Sequence, residues 1–191
     1  MREIPCDPDE DSPADLITQR LALRPLHLTD APFLAREAGR PEVARMVARI
    51  PSPCPALASE CFILAVRAAE GARGDKVRLI TQRDGGAPLG VIGLHPHGKG
   101  VWELGYWLAV QAWGRGVATE AGAAMIADAR IRGAEHLTAG HFSDNPASAR
   151  VLSKLGFAYS DGGLETHAFS MGRMARAAHR AMALHIGPQT G

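Results

Sequence analysis

The sequence predicts one mixed α/β domain, a central sheet with helices on both of its faces. Three observations predict it. At 191 residues, the chain is slightly longer than the roughly 150 that one domain takes. Its middle third alternates apolar and polar residues between turn signals, the mark of antiparallel strands. After Gly114 the apolar spacing changes to a helical period. With 46% hydrophobic but only 5% aromatic residues, the core must be aliphatic and rich in alanine.

The elements follow in order. Residues 1–15 are polar and bear prolines, which reads as a loose acidic arm. Leu16–Leu23 alternates as a first strand. Thr29-Asp30 starts a helix that tolerates Pro32 in its first turn and runs to Gly39. Pro41 opens further helix to about Ile50. Pro51, Pro53 and Pro55 force a loop, and Leu57–Glu70 has helical spacing at Phe62, Val66 and Ala69. Val77–Thr81 and Leu89–Leu94 are strands joined by Asp84-Gly85-Gly86. His97-Gly98-Lys99-Gly100 turns the chain into a long strand, Val101–Val110. Val117, Ala121, Ala124 and Met125 then share a helical face between Gly116 and Arg132, and Gly133 ends it. His136–Phe142 is a strand, and Asn145-Pro146 starts a helix that Gly156 ends. Phe157–Tyr159 and Thr166–Met171 are short closing strands. Arg173–Leu184 reads as a weak helix, so the domain is placed at 16–171 with a helical tail at 172–191.

Composition excludes several functions. A net charge of +1 is too small for a protein whose main partner is nucleic acid. The first fifteen residues hold six acids against Arg2, a net of −5, so the remainder carries +6, which suits a small polyanionic ligand. No apolar run reaches the ~18 residues of a membrane span, and no secretory h-region is visible, so no membrane partner is expected. Cys6, Cys54 and Cys61 have no C-x-x-C spacing, which argues against disulfides and zinc and suits a reducing, cytoplasmic setting. His95 and His97 share a strand face but have no evident third metal ligand.

The most informative stretch runs from Glu103 to Glu120, where a strand enters a glycine-bearing turn, Gln111-Ala-Trp-Gly114-Arg-Gly116, and the turn enters a helix. Such a turn aims free N–H groups, and the positive end of the helix dipole, at one point, which makes a cradle for phosphate. A Walker loop is absent. The dinucleotide fingerprint fails at its third position, Thr119, although Glu135 lies at the right distance for a ribose acid.

Gln111-Ala-Trp-Gly-Arg-Gly116 resembles the Gln/Arg-x-x-Gly-x-Gly/Ala acetyl-CoA signature of the GNAT N-acetyltransferases. Leu16–Pro25, Glu103–Leu108 and Asn145-Pro-Ala-Ser148 with Leu155-Gly-Phe157 are similar to the first strand, fourth strand and Asn-x-x-Ser…Leu-Gly-Phe segment of one branch. That branch holds the ribosomal-protein N-terminal alanine and serine acetyltransferases. The resemblance implies a GNAT-like fold whose sheet splays between Val101–Val110 and His136–Phe142. It implies acetyl-CoA as co-substrate, its pantetheine arm paired with backbone at Leu108, Ala109 and Val110. Its diphosphate would rest on amides from Gln111 through Gly114, Arg115, Gly116, Val117 and Ala118 to Thr119. A backbone N–H at Leu108 or Ala109 would polarise the thioester carbonyl.

Transfer to an amine needs a base, since an ammonium cannot attack. Glu103 is the one acid of Val101–Phe142 inside an expected core strand, and the resemblance places the base on this strand, acting directly or through water. Pairing with a nearby arginine, or facing solvent, is its bland alternative, and His141 is an alternative base. Many relatives protonate the leaving thiolate with a tyrosine at the position held here by Leu152. Ser148 is the remaining candidate donor, or else a back-bonding helix serine. Asn145 resembles the residue that holds pantetheine and also fits an N-cap. Arg150 reaches CoA phosphates or solvent. The expected acceptor is a protein N-terminal amine. A small-molecule amine (antibiotic, polyamine or amino acid), a non-catalytic CoA-binding module and a Rossmann-type dehydrogenase are the competing readings. A homodimer is expected by analogy.

Overall fold

The computed structural model describes residues 16–84, 86–159, 166–168 and 177–187, with 166–168 and 177–180 as backbone only. The expected arm at 1–15 lies outside the described residues. Among the described residues a nine-stranded sheet carries the fold, in the order β1-β2-β3-β4-β5-β6-β9-β7, with β8 also on β9. Its strands are β1 (Leu16–Ile17), β2 (Leu21–Arg24), β3 (Lys76–Gln82), β4 (Pro88–Pro96), β5 (Val101–Leu108), β6 (His136–Phe142), β7 (Ala158–Tyr159), β8 (Thr166–Ala168) and β9 (Ala177–His185). The helices are α1 (Ala31–Ala38), α2 (Pro41–Ala44), α3 (Ala56–Arg73), α4 (Val117–Ile131) and α5 (Pro146–Lys154). Every strand pair is antiparallel except β5 and β6.

The period of two in the strands builds two cores. Val77, Leu79, Val91 and Trp107 face one way and pack on Leu34, Val43 and Ile63 from the helices before β3. Ile80, Ile92, Leu94 and Leu104 face the other way and pack on Val117, Ala121, Met125 and Ala129 of α4 and Leu152 of α5. The alanine stripe lets α4 lie close to the sheet, which is how so few aromatics suffice. Two buried cations tie β3 to both helical layers: Lys76 Nζ lies 2.9 Å from Asp128 on α4, and Arg78 Nη2 lies 2.6 Å from Glu70 on α3. Each buried charge therefore keeps a partner, as burial demands.

Three expectations need correction. The strand expected at Leu16–Leu23 is split, because Thr18 and Leu21 make a tight turn: Thr18 N–H donates to Leu21 O and Leu21 N–H to Thr18 Oγ1, both at 2.9 Å. The helix from Pro41 stops at Ala44 rather than near Ile50. The described part of the helix expected at Arg173–Leu184 is instead β9, Ala177–His185, so that part belongs to the sheet and not to a helical tail, while residues 173–176 lie outside the described residues. The reason is tertiary. The β6 edge offers seven consecutive pairing positions, from His136↔His185 to Phe142↔His179, and that ladder outweighs alanine's helix preference. Met182 and Ile186 are buried while Ala183 and His185 are exposed, a period of two present in the sequence.

Gly90 of β4 sets where the end of β5 can lie. A Cβ there would stand 2.3 Å from Trp107 O and 2.8 Å from Leu108 Cα. Only glycine allows that approach. We expect Gly90→Ala to lose about 1–3 kcal/mol of stability by overpacking, read as a lowered midpoint in chemical denaturation, with unchanged stability as the contrary result.

Candidate active site

β5 and β6 pair at only three positions, Val101↔His136, Trp102↔Leu137 and Glu103↔Thr138. Beyond them the strands part, and the gap opens into a cleft of about 520 Å³. The phase of β5 decides which main-chain groups face the gap. Ala109 N–H donates to Leu89 O at 2.8 Å, so residues 105 and 107 also turn their backbone groups to β4, and Leu104, Tyr106 and Leu108 turn theirs to the gap. Leu108 O is taken by Trp113 Nε1–H at 2.9 Å. Leu108 N–H is left as a donor aimed into the cleft. Ala109 offers nothing there, because its N–H goes to Leu89 and its C=O accepts from Ala112 N–H. Of the two expected donors, only Leu108 has an N–H that faces the cleft.

The turn after β5 is a single 3-10 turn, Val110–Ala112, followed by Gly114 at φ +71° and Gly116 at φ +77°. Both angles favour glycine, and a Cβ at Gly114 would meet open space, so its requirement is conformational. Gly116 caps α4 without a side-chain capping hydrogen bond. The first helical bond is Glu120 N–H to Gly116 O. Among the described residues, no hydrogen bond uses the N–H groups from Gly114 to Thr119. These open donors sit at the positive end of a 15-residue helix, an arrangement that fits a diphosphate.

A carboxylate, Glu120, stands in the first turn of this anion site. It receives Thr18 Oγ1–H at 2.6 Å, Arg20 N–H at 2.9 Å and Arg20 Nε–H at 2.7 Å. Arg20 Nη1–H goes on to Arg115 O at 3.1 Å. The β1–β2 turn is thereby latched onto the glycine turn, and the acid's charge is matched before an anion arrives. Burial on its own would raise the Glu120 pKa, but the bonds from Thr18 and Arg20 outweigh it and hold the group below its ordinary 4.5. No motif signals this latch, since Thr18 and Glu120 are 102 residues apart.

At the other end of the cleft, Tyr106 OH lies 2.9 Å from Ser148 Oγ. Asn145 caps α5 by accepting Ser148 N–H at 3.1 Å through Oδ1, which leaves its Nδ2 donors without a partner among the described residues. Leu152 is core, at 1% exposure. His141 is buried with both ring nitrogens engaged: Nδ1–H donates to Phe142 O and Nε2 accepts from Tyr159 OH, each at 2.9 Å. That tautomer leaves it no lone pair for an amine. His95 lies 2.6 Å from Asp75, and His97 Nε2–H donates to Glu103 at 3.0 Å, so the two histidines serve separate partners.

Of the expected site residues, Leu108, Gly114, Gly116, Val117, Ala118 and Thr119 line the cleft, as do Asn145 and Ser148. Glu103, Ala109, Val110, Gln111 and Arg115 do not. Glu103 sits where β5 and β6 are still paired, on the face that carries Trp107. Between them Gly105 leaves that face open, with no atom within 4 Å of a Cβ built there. Tyr106, Arg20 and Glu120 were missed, and all three act through partners remote in sequence.

Residues 20–158 match the acetyltransferase (GNAT) domain model. The chain belongs to the GNAT acetyltransferase family. Solved GNAT-like structures agree on the fold. A RimL ribosomal L7/L12 alpha-N-protein acetyltransferase in complex with coenzyme A superposes with a TM-score of 0.76 at 17% identity, covering 89% of this chain and 96% of that one. Mycobacterium smegmatis RimJ in complex with CoA-disulfide gives 0.72 at 22% identity, covering 86% and 81%. The Microcin C7 self immunity acetyltransferase MccE, in complex with acetyl-CoA and AMP, gives 0.75 at 17% identity, covering 88% and 94%. No curated protein matches the chain significantly by sequence. No helix among the described residues is long and apolar enough to cross a membrane.

In this GNAT domain the Arg20–Glu120 latch should govern how the glycine turn meets phosphate. We expect Glu120→Gln to weaken coenzyme A binding roughly tenfold, about 1.4 kcal/mol, by titration calorimetry. Because folding lowers the Glu120 pKa, its stabilisation is complete above pH 4.5 and is lost as pH falls through the lowered value. Thermal melts should therefore show wild type losing its advantage over Glu120→Gln below about pH 4.5; a constant difference at all pH values would contradict this.

Proposed function

We propose that this GNAT acetyltransferase moves the acetyl group of acetyl-CoA to a protein N-terminal α-amine by direct transfer within a ternary complex. The observation that carries the reading is the cleft at the β5–β6 split, with open amides at Leu108 and from Gly114 to Thr119. The amides at the α4 start hold the diphosphate, and Leu108 N–H polarises the thioester carbonyl. Asn145 Nδ2 holds the pantetheine arm.

Glu103 is the base of this reading, and its place on β5 supports a water-mediated route. It lies five residues before Leu108 on β5, roughly 17 Å along an extended strand, farther than one carboxylate reaches. Glu103 therefore acts through a chain of waters over the open face of Gly105. The acceptor enters beside α2 and the chain that follows it, where Val43, Arg45, Met46 and Val47 border the cleft.

Amine chemistry supports an α-amine. With a pKa near 8, about a tenth of an α-amine is neutral at pH 7, against less than ~0.1% for a lysine side chain. The RimL neighbour in fold is itself an alpha-N-protein acetyltransferase. A small-molecule amine is the second reading, favoured by MccE, a self-immunity enzyme of the same fold.

Acetylation of peptides with a free N-terminus, set against N-blocked peptides bearing lysine and a panel of small amines, tests both. At pH 7 we expect free N-termini to exceed lysine by more than tenfold in kcat/KM. Glu103→Gln should lower kcat roughly 100-fold while acetyl-CoA still binds. Turnover confined to small amines would move the assignment to the second reading, and an unchanged kcat would remove Glu103 as base.

A further inference from the structure

Leu152 is sealed in the core and His141 has no proton to spare, so the departing sulfur needs another donor. The hydroxyls of Tyr106 and Ser148 meet inside the cleft, 2.9 Å apart. Tyr106 comes from β5 and Ser148 from the first turn of α5, so their bond crosses the cleft from β5 to the helix that follows β6.

We propose that Tyr106 is the positioning residue for thiolate departure: its hydroxyl donates to Ser148 Oγ and so frees the Ser148 proton to point at the sulfur. This rests on the acetyl-transfer reading above. A serine hydroxyl has one proton. If Ser148 gave that proton to Tyr106, none would remain for sulfur. A phenol is a far stronger acid than an aliphatic alcohol, so the tyrosine is the donor of the pair. Burial raises the Tyr106 pKa above its ordinary 10.0, so the phenol keeps its proton at neutral pH. A donor chained to a second donor is also polarised and strengthened.

The step balances. The amine nitrogen bonds the carbonyl carbon, the C–S bond breaks, and its electron pair stays on sulfur. The Ser148 proton passes to sulfur, the Tyr106 proton passes to Ser148 Oγ, and solvent returns a proton to the phenolate. The amine's own surplus proton leaves through the base.

Two readouts test the role, one of them independent of turnover. The thiol of bound coenzyme A is titrated by its thiolate absorbance, as a difference spectrum against the protein alone, in wild type, Tyr106→Phe, Ser148→Ala and the double variant. Donors stabilise the thiolate, so each single variant should raise the thiol pKa by about one unit, a tenfold loss of thiolate. The double variant should shift no further than Ser148→Ala, and Ser148→Thr should restore the wild-type value. In turnover, Tyr106→Phe should lower kcat about tenfold with the acetyl-CoA KM within about twofold, and should cost nothing more in the Ser148→Ala background. A thiol titration in Tyr106→Phe equal to wild type, or a full additional cost in the double variant, overturns the proposal. Failure of the wild type to bind coenzyme A would instead overturn the cleft assignment itself, and this proposal with it.

Discussion

Everything at this site depends on β5 and β6 ceasing to pair after Glu103 and Thr138. A parallel pair normally continues until both strands end, because an unpaired N–H or C=O shielded from water is costly. Here the second half of β5 turns one edge of its backbone away from any partner strand and into a cleft, with Leu108 O taken by Trp113. In the proposed complex those groups are the template that the pantetheine arm completes as an added strand would. The remainder of the fold keeps the gap open. β4 holds the far edge of β5 through Leu108 by way of Gly90, β9 holds the far edge of β6 along seven positions, and each strand is therefore fixed from its outer side.

The second requirement is a place for negative charge next to that gap. The chain's charge is near neutral, so the site draws on geometry more than on net charge: two glycines at positive φ, a helix start without a side-chain cap, and one arginine held in place by a carboxylate. Glu120 looks unsuited to an anion site until its three donors are counted. With them it acts as the anchor of Arg20, and Arg20 as the anchor of the glycine turn.

The mixed sheet, both helical layers and the glycine turn were legible in the sequence because each is written locally. His136–Phe142 coincides with β6, and Gly116–Arg132 contains α4. What escaped was non-local. The alanines of Ala177–His185 favour helix until the β6 edge is present, and the alternation of Met182, Leu184 and Ile186 is too short to announce a strand alone. Thr18 finds its acid 102 residues away, and Tyr106 finds Ser148 at a distance of 42, so no spacing rule reaches either pair. Ala109 was indistinguishable from Leu108 before the strand phase was known, since a one-residue step reverses which edge the backbone serves.

That phase also provides the most direct test of the account. Amide hydrogen exchange, resolved by residue, with and without coenzyme A, compares neighbours on opposite edges of one strand. Leu108 and the amides from Gly114 to Thr119 should gain protection on binding, while Ala109, already bonded to Leu89, should not change. Protection that appears elsewhere, with Leu108 and the glycine turn unaltered, would contradict the claim that the unpaired edge of β5 is the binding surface.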